Sequence, residues 1–173
     1  MRSPGDIASA VAAGAWRIAR HAIARMRNAG FDIDAGEAYF AFLAEFLAFE
    51  VAIADRIAYM RLAADARIDF TGALARRIGA MLDDSASELL AVASASWYER
   101  FIDLVNARNA DYAHFACTGD GPEFGFLRAF GTCLTGIVPA KDRPWTMAQV
   151  VEIEAPEAVA TLVSAMRSLL PEP

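Results

Sequence analysis

Asp111 and His114, in the stretch RNADYAHF at residues 108–115, are the pair best suited by type and spacing to do chemistry. On a helix, side chains three positions apart are neighbours, so a carboxylate and an imidazole at that spacing can share a metal ion. His114 also falls near the end of an apolar-periodic run, where a histidine commonly serves the free carbonyls of a last helical turn.

The Asp-x-x-His step is similar to the Glu-x-x-His step of ferritin-like di-iron bundles, which use two such steps and two further inward carboxylates. The chain has one other histidine, His21, in HAIARMR, with no acid three or four positions away. A metal set would therefore have to combine Asp111, His114 and Glu50 with His21 or Glu99. The expectation is no metal and no cofactor, with His114 finishing a helix. Nucleophilic catalysis is no better provided for. Cys117 follows His114 but no elbow motif surrounds it, and TGDGPEF lacks the lysine and the preceding strand of a phosphate loop.

Two charges stand out by where they fall. In residues 36–66 the apolar rows Phe40-Leu43-Leu47-Val51 and Phe42-Phe46-Phe49-Ile53 cover most of a helical wheel. Glu50 points between them, while Glu45 lies on the remaining side. In residues 86–115, Leu90, Trp97, Phe101, Leu104, Tyr112 and Phe115 line one face, with Arg108 in its middle. A buried charge requires a partner, so Glu50 and Arg108 are expected to pair. The alternative is a pocket for an anionic small molecule, with Arg108 as clamp and Trp97, Tyr112 and Tyr59 as walls.

The elements that must position these residues are helices. Alanine is abundant and 56% of residues are hydrophobic, with no strand-like alternation of useful length. Asp6 and Gly30 bracket a first helix. Asp34 and Glu37 have capping-box spacing and open a long second helix, about 35–66. A shorter helix spans about 70–83, and Ser85 with Glu88 opens a second long helix, about 86–115. Further helices are expected from Asp120-Gly-Pro-Glu123 to before Pro139, from Pro144 to about Ile153, and from Pro156 to Leu170. The reading is a single all-α domain over 1–173, a bundle of about seven helices built around the two long ones.

Composition narrows the function classes. The net charge of −6 argues against nucleic-acid binding, which needs a basic face. Positive mean hydropathy makes a membrane span worth testing, but Glu45 and Glu50 interrupt the richest stretch, residues 38–54. An acid at mid-span costs about 2.5–3.5 kcal/mol, so no span is expected. The start, MRSPGDIASAV, lacks a signal-peptide layout, and Cys117 and Cys133 fit buried thiols in a reducing compartment, so the expected location is the cytoplasm.

Residues 1–29 carry five arginines against Asp6 alone. Arg17, Arg20 and Arg27 share a face that either neutralises the acidic remainder or meets an acidic lipid or an acidic partner. Gly125, Ala129, Thr132 and Gly136 form a small-residue row that suits close helix approach, internal or across a homodimer. The leading functional expectation is a non-catalytic interaction or self-association module. The alternatives are a metal-binding or oxidoreductase bundle and the anionic-ligand pocket.

Overall fold

A computed structural model describes residues 3–90 and 96–170. Helix α1 (Pro4–Asn28) starts on a capping box in which Ser3 Oγ accepts from the Asp6 amide and the Asp6 carboxylate accepts from the Ser3 amide. It ends where Gly30 adopts φ +95° and the Phe31 amide reaches back to the Met26 carbonyl. Helix α2 (Glu37–Tyr59) is buried without interruption from Phe42 to Ala54 and touches α1, α3, α4, α5 and α7. A helix apolar on nearly every side must be surrounded, and α2 forms the axis of the bundle.

The long helices differ from the expectation. Helix α2 stops at Tyr59, and α3 (Ala64–Leu89) runs through the boundary expected between residues 83 and 86. The turn at 60–63 contains neither glycine nor proline. It is held from the side: Arg67 forks onto both oxygens of Asp55 at 2.9 and 2.5 Å, and Thr71 donates to Asp55 at 2.8 Å. This pins the start of α3 back along the end of α2. Helix α4 spans Trp97–Tyr112, and residues 91–95 of the expected second long helix lie outside the described residues. Ser85 is interior to α3 and caps nothing. The α4 start is satisfied instead by Ser96 and by Asp83 on α3, whose carboxylate accepts from the Trp97 amide at 2.8 Å. Asp34 and Glu37 likewise form no capping box: the cap position of α2 is Gly36, and Glu37 pairs with Arg100.

Helices α2 and α4 run parallel. Glu37 meets Arg100, Glu45 meets Arg108, and Phe49 meets Tyr112, so both numbers rise together. After α4 a two-residue antiparallel hairpin, β1 (Cys117–Thr118) with β2 (Gly121–Pro122), occupies what was expected as a helix start. Helix α5 (Phe124–Thr135) follows.

The last two expected helices are one rod: α6 (Arg143–Gln149), a π-helical turn Val150–Glu154, and α7 (Ala155–Leu169). Pro156 explains the π turn. It has no amide hydrogen, and its ring would clash with the carbonyl four residues back in a regular helix. The wider turn, with the Ala155 amide bonded to the Val150 carbonyl, lets the rod continue. The described residues thus form six continuous helical segments, an all-α bundle. No described helix is long and apolar enough to cross a membrane.

Candidate functional site

The parallel course of α2 and α4 decides how the buried charges pair. Arg108 donates from Nε and Nη2 to the two oxygens of Glu45, at 2.8 and 2.5 Å, and from Nη1 to Asp111 at 2.9 Å. The pair expected between Glu50 and Arg108 is therefore replaced by Glu45–Arg108, because residue 45 and not residue 50 lies level with residue 108. The Glu45 hydrogen bonds hold the Arg108 guanidinium above its usual range and outweigh burial, which acts the other way. Two carboxylates engage three of the five N–H groups of the guanidinium, so an external anion at Arg108 would compete with Glu45 and Asp111.

Glu50 is fully buried, and neither carboxyl oxygen has a hydrogen-bond partner among the described residues. Burial pushes its carboxyl well above the ordinary value and so favours the neutral acid over the carboxylate. The other expected pocket walls are dispersed. Trp97 packs against Phe40 at one end of α4, while Tyr112 stacks on Phe126 at 4.5 Å at the other. Tyr59 is exposed, with Arg67 over its ring at 5.0 Å. The Trp97 Nε1 is buried without a partner among the described residues; the Tyr112 hydroxyl is buried beside the Cys133 thiol, and burial pushes it up.

The alternative metal set is not assembled. Glu50 is in the core, Asp111 is taken by Arg108, and His114 is exposed beyond the end of α4. His21 and Glu99 are exposed on α1 and α4. Among the described residues no group of three or more His, Cys, Asp or Glu side chains converges. In the small-residue row, a methyl on Gly125 would come within 2.9 Å of the Phe115 ring, so that glycine serves an internal contact. Thr132 and Gly136 are exposed. The closest internal approach is made by a glycine outside the row, Gly131, whose added methyl would fall 2.6 Å from Met147 Sδ.

What the structure does assemble is a cavity of about 190 Å³ between the end of α2, the hairpin and α7. Ile53, Ile57, Val159 and Val163 form an apolar floor, and Met60 closes one side. The hairpin supplies Cys117, Thr118 and Gly119, and Gly121 turns with φ +108°, a conformation that favours glycine. Arg61 and Arg167 stand in the lining, and among the described residues no carboxylate does. An apolar floor with a few convergent charges of one sign is the usual make-up of a small-molecule site.

Cys117 is half-buried; desolvation raises its thiol above the usual range, and the charge of Arg56 partly opposes this. The wall therefore presents a neutral thiol, suited to packing more than to attack. Sequence reasoning missed this cavity because its parts come from three separated segments, and the hairpin that joins them had been read as a helix start. The valines of α7 and the apolar Ile53–Ile57 ridge are both legible in the sequence, but their meeting is not.

No protein-family model, no curated protein and no solved structure matches this chain.

Proposed function

We propose that this protein is a non-catalytic binding protein for an amphipathic organic anion, seated in the cavity between α2, the 117–122 hairpin and α7. The observation that carries this reading is an apolar floor with Arg167 at its edge and Arg61 beside it, and no acid in the lining among the described residues. An apolar tail would lie on Ile53, Ile57, Val159 and Val163, and a carboxylate or phosphate head would meet Arg61 and Arg167. This takes up the anionic-ligand class, an alternative in the sequence reading, and moves it from Arg108 to α7. The two free thiols fit a reducing compartment, and the cytoplasm is the proposed location.

The test is calorimetric titration with dodecanoate below its micelle concentration, with dodecanol as the uncharged control. Saturable binding of the acid, weakened about tenfold by Arg167→Gln, supports the reading. Equal binding of the alcohol, or no effect of Arg167→Gln, removes it.

Partner binding or self-association is the second reading. It is favoured by Phe124, Trp145 and Ile153, which are exposed on the packed α5 and α6–π segments. Sedimentation velocity on wild type and Trp145→Ser checks it. A single monomeric species at all concentrations ends the homodimer version.

A further inference from the structure

The π turn does more than accommodate Pro156. Its last residue, Glu154, is fully buried, and both of its carboxylate oxygens are engaged. Arg25 donates from Nε and Nη2 to Oε2 at 3.1 and 2.6 Å, and Gln149 donates to Oε1 at 3.0 Å. Arg25 is thereby fixed at the wall of a second cavity, about 260 Å³, in the groove between α1 and α7. Arg17 and His21 stand along the same stripe of α1, one turn apart, and Gly14 leaves the floor open, since a methyl there would meet nothing within 4 Å. Arg17 makes no ion pair among the described residues. Among the described residues the only carboxylate lining the groove is Glu157, which is more than half exposed and lies 3.4 Å from Arg25 Nη1.

We propose that this groove is a binding site for a phosphate monoester group, held by Arg17, His21 and Arg25, with Glu157 as the resident carboxylate it displaces. Three basic side chains line a space large enough for such a group. One of them is oriented from behind by a buried acid, which removes much of the entropy of ordering an arginine around an anion. Arg20 is exposed outside the groove lining. Arg27 donates to the Ile33 carbonyl at 3.1 and 2.8 Å and holds the 29–36 loop, so the expected arginine face divides into one binding residue, one solvated residue and one structural residue. The site shares no residue with the α2–hairpin–α7 cavity, and its test is independent of that reading.

The test titrates the full chain with glycerol phosphate at constant ionic strength, and in parallel with vesicles of phosphatidylcholine with and without phosphatidic acid. Saturable binding of glycerol phosphate is expected, about tenfold weaker in Arg17→Gln and about threefold tighter in Glu157→Gln. Opposite signs from two exposed groove residues are not produced by a merely structural role. Binding to phosphatidic acid vesicles alone, with the same two dependences, assigns the phosphate to a lipid headgroup. Binding to neither, or binding indifferent to both substitutions, overturns the proposal. Arg25→Lys, which keeps a charge opposite buried Glu154, serves as the folded third variant and is expected to weaken binding.

Discussion

Arg108 and Glu45 are joined by two hydrogen bonds, at 2.8 and 2.5 Å, between the parallel helices α2 and α4. The pair sets the register of the bundle's two central helices, and Asp111 accepts from the remaining nitrogen, Nη1. Removing one member leaves the other partly buried and uncompensated. A fully buried pair loses about 3–5 kcal/mol in this way. The Arg108 side chain is 23% exposed, so water recovers part of the loss. Glu45→Gln is expected to lower stability by about 2 kcal/mol, or about 4–8 °C in Tm, measurable by calorimetry. An unchanged Tm would show that the pair contributes nothing net.

Glu50 predicts the opposite sign. Its oxygens are desolvated without compensation, so a residue of similar volume with no polar atoms removes a penalty. Glu50→Leu is expected to raise stability by about 1–3 kcal/mol in urea denaturation at pH 7. Stability below that of the wild type would mean the carboxyl has a partner in solution, such as an internal water cluster.

The same residue gives a pH signature. The folded chain holds the Glu50 proton more tightly than the unfolded chain does. Its contribution is therefore fully present below the ordinary carboxyl range and is lost as pH rises toward the raised value. Across that window the slope approaches about 1.4 kcal/mol per pH unit, the limit for one proton. Wild-type stability relative to Glu50→Leu should fall steadily from pH 5 upward. A difference that is flat with pH would mean that Glu50 ionises alike in the folded and unfolded chains.

These residues show what the sequence disclosed and what it hid. The wheel of residues 36–66 puts Glu50 in the core and identifies the central helix, because an apolar surface on all sides has one physical meaning. The same wheel puts Glu45 on the less apolar side, which α4 covers and buries against Arg108. The partner of Arg108 depended on whether α2 and α4 run parallel, and no local pattern carries direction. Boundaries failed where long-range contacts replaced local punctuation. Asp55 with Arg67 turns the chain at 60–63 without glycine or proline, and Asp83 caps α4 from a neighbouring helix while the apparent capping box at Ser85 lies inside α3. Of the candidate sites, the arginines of α1 were visible as a face. The groove they line required α7 and the π turn, which Pro156 imposes and which a sequence reading takes for a helix break.

Two glycines test the packing from opposite directions. Gly14 lies inside α1 with open space where a side chain would go, so Gly14→Ala should stabilise the fold by about 0.5–1 kcal/mol through helix propensity. Gly131 is buried against Met147 and Val151, and Gly131→Val should destabilise by about 1–3 kcal/mol. Thermal melts of the two variants should move apart. Movement in the same direction would mean that α5 does not pack on the 143–154 segment as described.

The two cysteines offer a chemical test of which cavity a ligand occupies. Burial raises both thiols, so alkylation of either should be slow at neutral pH and accelerate as pH rises. Cys117 lines the α2–hairpin–α7 cavity. Cys133 instead lies within electrostatic reach of Glu45, Arg108 and Tyr112, on the α4–α5 side. Saturating dodecanoate is therefore expected to slow iodoacetamide modification of Cys117 by about tenfold or more and to leave Cys133 unchanged, read by peptide mass spectrometry at pH 8.5. Equal protection of both thiols would indicate general tightening of the fold and not occupancy. Protection of Cys133 alone would move the ligand to the Arg108 cluster, whose two carboxylates would then have to release their guanidinium.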